Sequence, residues 1–169
     1  MNQANRQRES TLFNSPIEIG LRALALLTES FPDALSLQRL VPYDYLVVHS
    51  DDVPGGPPGL HPQTPHRGGE LTVRRASLRS GLLLYHSRGL IARQYSQDGV
   101  LYAATETSAA FLDALEGSYI HSLRARADWL NERFASVSDS DVNEFVRDNI
   151  TAWGSEFEME SALYEGGAI

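Results

Sequence analysis

Histidines are the first residues in this chain able to hold a metal or move a proton. His61 and His66 lie five apart in a stretch rich in proline and glycine, close to Arg67 and Glu70. A zinc or acid–base site needs further ligands held on rigid elements. The chain has no His-Glu-x-x-His pattern and no paired carboxylates at helical spacing beside these histidines. Hydrogen bonds to loop carbonyls are their simpler use. His49, His86 and His121 stand alone and read as surface or interface residues.

Other catalytic patterns are missing too. No Gly-x-Ser-x-Gly elbow occurs, and Ser136 to Ser140 reads as a helix cap. All 14 basic residues are arginine, so the lysine of a phosphate-binding P-loop is absent. The lack of cysteine excludes disulfides, zinc ribbons and thiol catalysis together. The residues make no case for an enzyme and call for no cofactor.

Charge is more informative. The net charge is −8, yet six arginines between Arg67 and Arg93 face one acid, Glu70, while eight acids after Val137 face Arg147 alone. A non-specific nucleic-acid binder is usually basic overall. A local basic face with an acidic tail fits a subunit of an assembly better. Within the basic stretch, Arg75, Arg79 and His86 project within about 40° of one another on an ideal helix. Such a face can read guanine edges or phosphates in a DNA groove. It can also pair with carboxylates across a protein interface, or simply be solvated. Leu71, Leu78 and Leu82 lie close to that side and Val73, Leu83 and Leu84 on others, which favours packing against protein. Trp129 lies off the apolar stripe of its helix, between Arg126 and Arg133. It is either a binding hot spot or a residue covered by the last helix.

The elements that must position these residues follow from periodicity. Ser15-Pro16-Ile17-Glu18 starts a helix by capping, and Ile17, Leu21, Leu24, Leu27 and Phe31 give it one apolar face. A second helix begins near Ala34, with Pro42 expected to break or kink it. Residues 51–69 form a Pro/Gly-rich loop, too long for an idle connector. Helix resumes at Glu70 and stops at Gly89, a left-handed cap. Strand-like runs at 90–95 and 100–104 flank Asp98-Gly99, a hairpin signal. A short helix starts at Thr105 or Thr107, and a long one covers 118–135. Ser138 or Ser140 caps a last helix with the stripe Val142, Val146, Ile150, Trp153 and Phe157.

The expected fold is therefore mostly α with a small β-hairpin: a winged-helix domain plus a C-terminal helical extension. Residues 1–13 form a flexible arm, 14–117 the winged-helix domain, 118–163 a two-helix extension and 164–169 a tail. No apolar run approaches the length of a membrane span. The expected setting is the cytoplasm, with no membrane partner.

Several strings together carry a family resemblance. They are Asn14 to Arg22, Tyr43 to Ser50, Leu60-His61-Pro62 with Pro65-His66-Arg67, Gly81 to Leu84 with Ser87 to Leu90, and Trp153 to Phe157. Over about residues 14–163 the chain resembles the middle component of bacterial ABC-three-component systems, the small subunit of Lamassu-type anti-phage defence. The His-Pro…Pro-His-Arg loop is the most specific part. The resemblance implies a non-catalytic adaptor or regulatory subunit. It would link or restrain an SMC-like ATPase and an effector subunit, commonly a nuclease, and meet DNA only through the complex. The residues expected to bind partners are His61, His66, Arg67, Arg74, Arg75, Arg79 and Trp129. The rival expectation is a free-standing winged-helix DNA-binding regulator.

Overall fold

The computed structural model describes residues 14–63, 70–150 and 152. Helix α1, Pro16–Glu29, starts as its sequence dictates: the Ser15 hydroxyl accepts from the Glu18 amide at 3.3 Å, and Pro16 opens the first turn. It is not the one-faced helix that the stripe suggested. Ile19 and Arg22 to Leu27 are all buried, so α1 runs through the middle of the fold, while the stripe's ends, Ile17 and Phe31, are exposed. Helix α3, Glu70–Ser87, crosses α1 at two glycines. A Cβ on Gly81 would stand 2.6 Å from the Gly20 nitrogen, and one on Gly20 would stand 2.4 Å from the Tyr85 ring. Only glycine at both positions allows this approach.

A two-residue strand, β1 (Leu35–Ser36), precedes helix α2 (Leu37–Leu46), which therefore starts three residues later than expected. The helix runs through Pro42 without breaking. Proline lacks the amide that would bond to Gln38 O. The side-chain amide of Asn143 donates to that carbonyl instead, at 2.6 Å. Asn143 lies on the last helix, α6, residues 139–150. Arg39 completes the joint between α2 and α6. Its guanidinium reaches Asp139 Oδ1 at 2.5 Å and the carbonyls of Phe134 and Val137.

The end of α3 is the one its sequence signals. Gly89 takes φ 74°, its amide bonds to His86 O and the Leu90 amide bonds to Tyr85 O, a Schellman arrangement. Strands β2 (Ile91–Ser96) and β3 (Gly99–Ala104) form the hairpin. Gly99 already pairs with Ser96, so the turn residues are Gln97 and Asp98. Strand β1 adds to β3, giving an antiparallel sheet in the order β1-β3-β2. Helices α4 (Ser108–Ala114) and α5 (Ser118–Arg133) follow. Leu123, Ala127 and Leu130 of α5 and Val142, Val146 and Ile150 of α6 join the same buried cluster as α1, α2 and α3. Ser138 caps α6 by accepting from the Asp141 amide. Trp153 and Phe157, expected to continue its stripe, lie outside the described residues.

The chain is mostly helical with a small antiparallel sheet, the class its sequence indicates. No described helix is long and apolar enough to cross a membrane.

Candidate functional site

Helix α3 sends its arginines in two directions. Arg74 points inward. Its Nη1 lies 2.7 Å from Asp44 Oδ2, and Arg22 of α1 holds the same carboxylate through Nε at 2.7 Å and Nη2 at 3.1 Å. Asp44 and Arg22 are fully buried and Arg74 nearly so. Burial pushes the Asp44 carboxyl up, but the two guanidiniums outweigh it and hold the group below the usual carboxylate range. A carboxylate gripped on both oxygens has little left for acid–base work.

The loop after α2 closes over this triad. Leu60 and His61 donate their amides to Val48 O, and the Ser50 hydroxyl donates to Pro57 O and Pro58 O. Arg126 of α5 reaches Pro58 O at 3.0 Å. His61 Nε2 lies 3.0 Å from the Tyr119 hydroxyl, and the two rings stack at 6.1 Å. Burial, with the positive charge of Arg22 and Arg74, lowers the His61 pKa to about 4. Its ring is therefore neutral at physiological pH. The imidazole, expected to bond a loop carbonyl, meets the Tyr119 hydroxyl of α5 instead; the bond to a carbonyl is made by the His61 amide, to Val48 O.

His49 is not a surface residue. It is 3% exposed, against the Tyr45 ring at 4.7 Å and edge-on to His61 at 6.3 Å. Sequence spacing missed it because the whole run from Leu40 to Ser50 is buried, helix end and turn alike. His86 is half-buried, its Nδ1 on Ile91 O at 2.8 Å, and His121 is exposed. His66 and Arg67 lie outside the described residues.

Arg75 and Arg79 point outward. With Arg93 of β2 they line a groove of about 530 Å³ between α3, the start of α2 and one face of the sheet. Its apolar lining is Leu37, Leu82, Leu83, Val100 and Tyr102, and among the described residues its one acid is Asp98. All three arginines are exposed, and among the described residues none has an ion pair. Leu83 in the lining is 60% exposed, and Tyr95, paired with the lining residue Val100, is 78% exposed. The structure thus separates Arg74 from the two arginines with which its sequence grouped it. Arg93 and the hairpin face are the members that sequence reasoning left out. The Arg93↔Tyr102 and Tyr95↔Val100 pairing signals them once the register is known.

Trp129 is neither fully buried nor a bare surface anchor. It is half-buried and packs against the core cluster. Its flanking arginines are engaged: Arg126 on Pro58 O, and Arg133 over the Phe134 ring at 5.3 Å.

Comparison with curated proteins and with solved structures returns no match. Comparison with family models matches residues 12–156 to the ABC-three component system Middle Component 2. That span includes the Asp44 triad, the loop, the groove and every described helix. With this much of its length matched, the chain belongs to the Middle Component 2 family of ABC-three component systems.

Proposed function

We propose that this middle component is a non-catalytic adaptor that joins an SMC-like ATPase to an effector subunit, commonly a nuclease, in a cytoplasmic anti-phage complex. The observation that carries the proposal is the groove of Arg75, Arg79 and Arg93. These are exposed guanidiniums over an apolar floor, in a chain that is acidic overall. Arginine pairs bidentately with carboxylates, and the apolar lining gives a protein partner surface to bury. Trp129, half-buried on α5, offers a smaller second contact through its exposed part. The His61–Tyr119 contact supports the adaptor reading in another way: it holds the proline-stiffened loop in place before any partner arrives, so less entropy is lost on docking.

The order helix, short strand, helix, helix, hairpin, with β1 on β3, supports the winged-helix reading. In that reading α3 is the helix that enters a DNA groove in DNA-binding relatives. A free-standing regulator is therefore the rival. The tagged full chain, purified from its native operon and read by mass spectrometry, is expected to carry an ATPase subunit. Alone it is expected to bind duplex DNA weakly. A symmetric dimer without the ATPase, binding DNA with an affinity that falls steeply as salt rises, would establish the rival.

A further inference from the structure

The two walls of the basic groove differ in chemistry. The α3 wall presents Arg75 and Arg79, one helical turn apart, with Leu82 and Leu83 beyond them. The sheet wall presents Val100 and Tyr102, with Arg93 opposite Tyr102 in the register. Four residues of helix rise about 6 Å. An extended strand sends every second side chain to the same side, and these repeat at about 6.8 Å. Alternation of acid and apolar residues would therefore serve both walls at once.

We propose that the groove takes an extended acidic segment of another component, with its carboxylates on Arg75 and Arg79 and its interleaved apolar side chains on Val100 and Tyr102. This rests on the groove being the docking place. Among the described residues three guanidiniums face the single carboxylate of Asp98, so the groove is positive, which recruits acid. Val100 and Tyr102 on the sheet wall, with the Asp98 carboxylate beside them, suit an apolar side chain better than a nucleic-acid backbone, which carries a phosphate at every step. Between sugar and phosphate, a duplex would leave Val100 and Tyr102 covered but unmatched.

The test uses the full chain and a fluorescein-labelled decapeptide of alternating glutamate and leucine, followed by anisotropy at physiological salt. Saturable binding is expected, and about ten-fold or more weaker binding to Arg75→Glu/Arg79→Glu, because charge-assisted bonds to two carboxylates are replaced by repulsion. An all-glutamate decapeptide is expected to bind more weakly, since it leaves the sheet wall unfilled. Arg93→Glu, on an exposed hairpin position, gives the same comparison if the double variant does not fold. Absence of peptide binding, equal binding of both peptides, or tighter binding of a short DNA duplex through the same arginines would overturn the proposal. If the peptide fails while Arg75→Glu/Arg79→Glu still removes the ATPase from purified complexes, the groove docks a different chemistry and only the acidic strand is lost. If both fail, the docking place itself is wrong.

Discussion

Arg74 and Arg75 are neighbours in the chain and opposites in the structure. Arg74 is buried on Asp44, with Arg22 on the carboxylate's other side, whereas Arg75 is exposed with Arg79 and Arg93 around an open groove. Both regions are rich in arginine. They differ in whether the fold supplies the carboxylate. Where it does, the charges lock together three helical residues far apart in sequence. Where it does not, the charge stays exposed, and the proposed docking draws on it. A run of arginines in a sequence is thus no guide to function until each guanidinium's counter-ion is known.

The strongest way to break this contrast is Asp44→Ala. Removing one partner of a buried ionic cluster leaves the others uncompensated and costs about 3–5 kcal/mol. At this chain length that is a fall in Tm of roughly 6–20 °C. Thermal unfolding followed by circular dichroism measures it. An unchanged Tm with lost assembly would place function in the buried triad instead of the groove.

Gly81→Ala probes what sets the two directions of α3. Its Cβ would meet the α1 backbone at Gly20, so the helices must move apart. Overpacking of this kind costs about 1–3 kcal/mol, or roughly 2–12 °C in Tm. Since the same crossing fixes which way Arg74 and Arg75 point, partner capture should fall with it. Full capture at a lowered Tm would show that the groove tolerates a displaced α3.

A third effect is a pH slope, spread over a wide window. His61 titrates near 6.5 when unfolded and near 4 when folded. Between those values the unfolded chain binds the extra proton, so stability falls as pH drops from 6.5 to about 4. His61→Gln should flatten that window. Asp44 acts lower: its contribution is whole above the unfolded value of 3.8 and is lost as pH falls from there toward its depressed folded value. Urea unfolding across pH separates the two. A slope unchanged by His61→Gln would mean that the loop contact does not persist in solution.

Local signals were readable in the sequence where they were sufficient. Ser15 and Pro16 start α1, Gly89 ends α3, and Asp98-Gly99 locates the hairpin, because each acts on backbone within a few residues of itself. What failed to show depends on distant partners. Strand β1 is two residues long and exists through Leu101 and Tyr102. Helix α2 survives Pro42 because Asn143, a hundred residues away, supplies the missing donor. The Arg22–Asp44–Arg74 triad joins three helices, and no spacing rule links its members. The basic face was legible as a cluster of arginines. Its composition was not, because Arg74 left it for Asp44 and Arg93 joined it through the sheet register.

The most direct measurement is co-purification of the Arg75→Glu/Arg79→Glu chain with the proposed ATPase partner from cells, alongside its Tm and phage protection. Both positions are exposed, so the Tm should stay within about 2 °C of the parent. The ATPase should be absent from the purified material, and protection should be lost. Normal ATPase yield with the folded double variant would contradict the docking role of this face, and loss of DNA binding alone would assign the same arginines to nucleic acid.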